Sequence, residues 1–417
     1  MLEWTLRSAA QPITWAFSFC FTCIVVGRFP YLNKWTGFLL VAAPAYGALQ
    51  ASPNLTPNLQ LNDIFSRFVI ILFSHMVALS FMKYDYTNIT GNEKESIDQS
   101  WKAGWKRAYN ARGIGQTWEN PYLWPKQKNT AIFAKSASKV TFKDEPVQVL
   151  QSRHSLATRD RWSAVLIRLG YMCLNYTLMN LYYEFRVSAT FGSFTAADLS
   201  PEKEVILRRA IKQIFTKDTF TTPITGREIT IRAFLAANKF IPDYLTLSAF
   251  HDIMAIIFIA SGVDQSWEWP PLFGSLTHAY TMRGFWSRFW HRAIYKPFNF
   301  HASTFTRLLG VPQGTSFSRI LNNCLVFFLS TIMHGIVLQA HGSSRAWGRG
   351  TLVFWGVQPL SFVLEGVVQS QWKQLKKSSL WWMDQTIMSI FERVIGYMWV
   401  AAWLMWITPK SVFGLMS

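Results

Sequence analysis

His334 lies near the middle of the apolar stretch ILNNCLVFFLSTIMHGIVLQAH, residues 320–341. An ionisable side chain inside such a stretch is costly and marks a functional site by default. At 100° per residue, Asn323, Ser330, His334 and His341 fall within about 20° of one line along a helix. That polar stripe must face a cavity or a partner helix, not lipid. Ser330 precedes His334 by four residues, close enough for a hydrogen bond that selects the imidazole tautomer. Catalytic proton transfer, a proton relay and plain packing are the roles open to His334. His341, at the end of the stretch, reads as a solvated terminus.

A second segment, WEWPPLFGSLTHAYTMRGFWSRFWHRAIYKPF at 267–298, is too charged to cross a membrane freely yet dense in tryptophan and arginine. Helical spacing over Arg283–Tyr295 predicts one face of Trp286, Phe289, Trp290 and Ala293, and another of Arg288, His291, Arg292 and Tyr295. On composition alone the segment reads as a membrane-surface anchor. Other ionisable groups inside apolar stretches are Arg67, His75, His251-Asp252, Glu365 and Glu392-Arg393, each read as structural before catalytic. No Gly-rich phosphate loop, HExxH zinc helix or GxSxG elbow occurs. Cys20, Cys23, Cys173 and Cys324 have the spacing of neither a zinc site nor a disulfide framework and read as small hydrophobes.

These groups need elements to hold them, and composition says which. Half of the 417 residues are hydrophobic, 16% are aromatic and 15% are charged, against roughly 25% charged in an ordinary soluble domain. With about 20 apolar residues per span, candidates fall near 10–27, 35–50, 64–82, 163–183, 238–262, 320–340, 351–370 and 386–408. The expected fold is all-α and polytopic, about eight spans in a single membrane-embedded domain over 1–417. Pro242 inside the fifth candidate allows two short helices or one kinked one. The first candidate reads as a retained anchor, not a signal peptide.

The formal charge of +18 excludes little by itself, but the basic residues sit between apolar segments, where they set topology and attract anionic headgroups. Nucleic acid is therefore not an expected partner. Residues 51–63 carry no Lys or Arg and read as lumenal, whereas Lys83–Trp162 carries 14 against 8 acidic residues and reads as cytosolic. The Glu184–Thr230 loop, mixed in charge, breaks this alternation. The sequons at Asn54 and Asn88 are both weakly placed for glycosylation.

At these residues the sequence resembles a known family. Phe285-Trp286-Ser287-Arg288-Phe289-Trp290-His291 is similar to the FWGRRWHQ signature of the wax-synthase-like branch of the membrane-bound O-acyltransferases. Phe327-Phe328-Leu329-Ser330-Thr331-Ile332-Met333-His334 resembles the intramembrane histidine segment of that superfamily. Pro271-Leu272-Phe273-Gly274-Ser275 resembles its lead-in, and Arg112-Gly113-Ile114-Gly115-Gln116-Thr117-Trp118 an RGIGW-type element of fungal members. Ser287 replaces a glycine, Phe289 the second arginine and Arg292 the glutamine after the histidine, which points to retained activity with an altered pocket. The chain looks most like the fungal branch that acetylates hydroxylated terpenoids and meroterpenoids.

The resemblance implies transfer of an acyl group, most simply acetyl, from CoA to a lipophilic alcohol in a ternary complex, with acetyl-CoA as co-substrate and no resident cofactor or metal. It implies His334 as base and His291 as the group that positions the thioester or the tetrahedral oxygen. Trp286, Trp290, Ser330 and Asn323 would line the substrate site, and Arg283, Arg288, Arg292 and Lys296 would meet the CoA phosphates. An endoplasmic reticulum location is expected from the family. A long-chain wax ester synthase would use the same site with a different pocket. A non-enzymatic transporter or binding protein is the rival of another class, although no inverted repeat is visible.

Overall fold

The computed structural model describes residues 5–81, 100–114, 160–188, 195–215, 223–343, 347–379 and 384–410. Most of the basic 83–162 loop, including Asn88 and Gly115–Trp118, lies outside the described residues. Among those described, every regular element is helical. The principal helices are α1 (Leu6–Arg28), α2 (Lys34–Ala51), α3 (Leu59–Phe81), α4 (Trp101–Tyr109), α5 (Arg161–Ser188), α6 (Ile206–Phe215), α7 (Gly226–Ala260), α8 (Tyr295–Leu308), α9 (Ser316–Ala340), α10 (Arg349–Gly356), α11 (Gln358–Ser379) and α12 (Gln385–Ile407).

Six helical stretches are long and apolar enough to cross a membrane: those of α1, α3, α7, α9 and α12, and Gly350–Ser378, which joins α10 to α11. The chain is thus a multi-pass integral membrane protein. The other two expected spans, α2 and α5, are helical but are not among the six. Helix α2 is 18 residues long, and α5 carries Arg161, Arg168 and Glu184. Apolar side chains exposed to the outside, such as Phe17, Leu39, Val368 and Met398, face where lipid would be.

Local chemistry sets the helix starts. Thr225, Thr315 and Asp384 each cap a spanning helix by accepting from backbone N–H groups of its first turn, which satisfies donors that no preceding turn can reach. Helix α1 packs on α2 and α4, α2 on α3, α5 on α7, α9 on α8 and α10, and α7 on α12. The α1–α4 contact is unusually close. A Cβ at Gly27 would come within 2.5 Å of the Gly104 carbonyl oxygen, and one at Gly104 within 2.7 Å of the Ile24 carbonyl. Glycines facing each other let the two backbones touch, so the basic loop's helix is seated against a spanning helix.

Of the two arrangements open at Pro242, the single helix is the one formed: α7 runs unbroken for 35 residues, beginning at Gly226 and not near 238. Two further expectations are corrected here. The described residues of Glu184–Thr230, expected as a loop, are largely helical. Arg227 holds Asp198 through two guanidinium hydrogen bonds, and Arg209 does the same to Glu228, folding α6 back onto the start of α7. Cys173 and Cys324 are exposed, not buried as small core hydrophobes.

Candidate active site

Trp267–Phe298 folds as a reentrant strap, not as one helix. Met282–Gly284 forms a single helical turn, Phe285–Phe289 a π-helical turn, and Trp290 leaves in extended conformation with φ −63° and ψ 152°. The Trp290 N–H reaches back five residues to the Phe285 carbonyl at 2.7 Å. One wide turn followed by a break overturns the two continuous faces expected over Arg283–Tyr295. It also buries what the anchor reading placed at the membrane surface: Phe285, Phe289 and Trp290 join Phe273, Phe327, Phe354 and Trp403 in the core. Wide turns of this kind occur disproportionately at functional sites.

The strap is fastened from several helices. Gly274 donates its N–H to the Phe289 carbonyl at 2.8 Å, and a Cβ there would come within 1.8 Å of the Arg288 carbonyl oxygen. Arg112 donates to the carbonyls of Pro270 at 3.1 Å and Pro271 at 3.0 Å and contacts His251 at 3.2 Å. Arg168 pairs with Asp252 at 2.5 Å and reaches the Trp269 carbonyl. One arginine of the basic loop and one of α5 therefore tie α7 to the lead-in. From α11, the Glu365 carboxylate accepts from the N–H groups of Met282 and Arg283 and from the Trp399 indole. Gln358 is fully buried, and its carbonyl oxygen accepts from the Trp286 and Trp403 indoles at 3.2 and 3.1 Å.

Between strap and helices lies a cavity of about 1750 Å³, larger than the roughly 300–1,000 Å³ of a pocket for one small ligand. Its walls are mostly aliphatic and aromatic. On α7 the lining runs from Lys239 to Phe258, a rise of about 28 Å at 1.5 Å per residue. One end carries Lys102, Lys106, Arg107 and Arg112 with Asp264 and Glu268. The other gathers Arg67, Lys239, Asp243, His291 and His334.

His334, Ser330 and Asn323 on α9 all line this cavity. The His334 ring stacks on Trp355 with centroids 4.2 Å apart and planes within 8°. Its nitrogens make no hydrogen bond to a described residue. Ser330 Oγ is buried and likewise unpartnered among the described residues, so the expected Ser330–His334 bond is not made. His341 is not a solvated terminus: its Nε2 lies 2.9 Å from Ser66 Oγ. Trp286, Trp290, His291, Arg283 and Arg292 also line the cavity, with the Arg292 guanidinium 4.7 Å above the Tyr295 ring. Arg288 and Lys296 are not among its lining residues; Arg288 lies within the wide turn and Lys296 beyond it, in the first turn of α8.

Sequence reasoning missed Lys239, Asp243 and Gln358. Arg67 pairs with Asp63 one turn earlier and with Asp243 at 3.5 Å. Lys239 sits 5.5 Å from the Phe354 ring centroid. The signal was present: Lys239 and Asp243 are one helical turn apart within an otherwise apolar run.

Burial pushes the His291 imidazole down to about 4, with Arg67 opposing its proton further. It is therefore neutral at physiological pH, and one ring nitrogen keeps an N–H to donate. Since the unfolded chain takes up this proton near 6.5 and the folded chain only near 4, His291 leaves stability undiminished above pH 6.5. Between 6.5 and 4 its contribution falls as pH falls, because there the unfolded state binds more protons. Thermal unfolding in detergent should show that acid slope, and His291→Asn should flatten part of it. An unchanged slope in the variant would contradict the buried neutral ring.

Residues 269–356, which hold the strap signature, both histidines and Trp355, match the Membrane bound O-acyl transferase family. Over 197 residues the chain is 32% identical to acetyltransferase atnC of Arthrinium sp, covering 46% of this chain and 43% of that protein. It is 30% identical over 199 residues to acetyltransferase aurG of Calcarisporium arbuscula, covering 46% of each. Acetyltransferase nanB of Aspergillus nanangensis is 33% identical over 180 residues, covering 41% of each. The chain spans less than half the length of these curated relatives. No solved structure matches it. The resemblance read from the signature and histidine segments is borne out.

Proposed function

We propose that this protein is a membrane O-acetyltransferase that moves acetyl from acetyl-CoA to a hydroxyl of a lipophilic secondary metabolite, a terpenoid or meroterpenoid in class. The observation that carries this reading is His334, open to a large apolar cavity whose far end is basic. The family matched by residues 269–356 and the acetyltransferase names of the relatives support it. The whole chain then acts as one membrane-embedded catalytic unit, with the endoplasmic reticulum as its location.

In this mechanism the alcohol enters the apolar part of the cavity with its O–H directed at His334. His334 takes that proton as the oxygen attacks the thioester carbonyl carbon. The tetrahedral oxygen accepts from the His291 N–H, a preformed donor in a water-poor site. Collapse forms the ester, breaks the C–S bond and returns the proton from His334 to the departing sulfur, yielding free CoA. The Trp355 face keeps the imidazole in one plane, and an indole face attracts the positive charge that His334 carries between the two steps. Lys102, Lys106 and Arg107 replace Arg288, Lys296 and Arg292 as partners for the CoA phosphates, with Arg283 retained.

The test is acyl transfer by membranes carrying the protein, with radiolabelled acetyl-CoA and a panel of hydroxylated terpenoids. Label in an organic-soluble ester is expected; no ester from folded protein with any donor would reject the reading. A fatty alcohol acceptor with a long-chain donor is the second reading, favoured by the aliphatic walls of the cavity. Competition between acetyl- and palmitoyl-CoA separates the two.

A further inference from the structure

Next to the cavity, and sharing Arg67, Lys239 and Asp243 with it, lies a recess of about 260 Å³ lined also by Gln60, Tyr183 and Asn238. Of its lining residues only Pro242 is apolar. At 260 Å³ it is below the size of a small-molecule pocket, so it fits a substituent and not a whole substrate. We infer that this recess is an acceptor subsite for a neutral oxygenated substituent, a hydroxyl or carbonyl remote from the hydroxyl being acylated. This rests on the proposed acyl transfer at His334.

Three observations carry the inference. First, the Lys239 ammonium forms no ion pair or hydrogen bond with a described residue: it lies 5.5 Å from the Phe354 ring centroid, and Asp243 and Asp63 act on it only through longer-range charge. Half-buried and lining both the cavity and the recess, this ammonium keeps donors for which a ligand oxygen supplies the acceptor. Second, Lys239 is level with the reaction centre. Phe354 packs against Trp355 at 4.8 Å, and Trp355 stacks on His334. Phe240, the next residue, packs on Trp290 at 5.0 Å. Third, the recess offers both kinds of hydrogen-bonding group. The Asn238 amide oxygen is held by the Tyr182 hydroxyl at 3.2 Å, which leaves its NH₂ as a donor beside Lys239, while the Asp243 carboxylate accepts.

Charge chooses between a neutral and an anionic substituent. Asp63 and Asp243 share Arg67, and with Lys239 the four groups already sum to zero. A ligand carboxylate would sit against Asp243 and unbalance them, whereas a hydroxyl can accept from Lys239 and donate to Asp243. The basic end of the cavity lies about 28 Å away along α7, which places the recess on the acceptor side and the CoA phosphates on the other.

The inference is tested with matched alcohols, 1-alkanols and 1,n-diols of ten to sixteen carbons, on the full-length protein in detergent. Binding is read from ligand-dependent thermal unfolding followed by tryptophan fluorescence, and turnover from labelled acetyl-CoA. The diol-to-alkanol ratio is compared between the wild type, Lys239→Met and Asn238→Leu, so that partitioning into detergent cancels. A drop in that ratio of about tenfold is expected in Lys239→Met, the size of one lost hydrogen bond to a charged group, and of about fivefold in Asn238→Leu, the size of one lost neutral hydrogen bond. An unchanged ratio in both variants overturns the subsite. If the ratio shifts in binding while no ester forms, the recess stands and the transferase reading falls. If esters form with an unchanged ratio, the recess alone falls.

Discussion

Replacing His334 with alanine is expected to lower acyl transfer by about 10²- to 10⁴-fold, the range over which a positioned general base acts, while leaving the protein folded in the membrane. The imidazole makes no hydrogen bond to a described residue, so its removal orphans no partner; what is lost is the stack on Trp355 and the group facing the cavity. Thermal unfolding of the variant in detergent should therefore stay near that of the wild type. The same measurement separates the roles left open by sequence. A packing histidine would lower stability and activity together, whereas a base lowers turnover alone. His334→Gln, which keeps a polar side chain of similar reach but cannot take up the proton, should be as inactive as His334→Ala. Substantial turnover in either variant rejects the assignment.

Which parts of this site were legible follows from what each depended on. The His334 stripe was readable because an intramembrane polar residue violates the solvent around it, and helical spacing says which neighbours share its direction. Asn323 and Ser330 accordingly line the same cavity. The strap was not readable as a shape. Helical periodicity over Arg283–Tyr295 is compatible with an α-helix, and nothing local announces a five-residue turn closed by the Trp290 N–H. That turn depends on Gly274, Glu365 and Gln358, which act from 11 residues upstream to more than 70 downstream. Nor could periodicity show that Arg288 and Lys296 do not line the cavity. Lys239 escaped because a hydropathy window opens its span near 238, where a lysine reads as a flanking charge. The helix in fact begins at Gly226, and Thr225 caps it, so Lys239 lies well inside. Charges near an assumed span end are the ones such a reading discards.

Glu365→Ala is expected to have the second large effect, and on the strap instead of on the chemistry. Its carboxylate accepts from two consecutive backbone N–H groups, those of Met282 and Arg283, and from the Trp399 indole at 2.9 Å. Glu365 is buried, and so is Met282. Alanine would leave these donors without acceptors, at about 1–3 kcal/mol for each that stays buried. The loss is then several kcal/mol, a large share of a typical domain's stability. Because the turn at Met282 leads directly into Phe285–Phe289, its release would also free Trp286 and His291 from the cavity wall. Turnover and thermal stability should fall together, the reverse of the pattern expected for His334. Glu365→Gln retains one acceptor oxygen and should recover part of both. A Glu365→Ala protein that unfolds like the wild type but is inactive would instead place this carboxylate among the reacting groups, and the strap would have to be held by Gln358 and Gly274 alone.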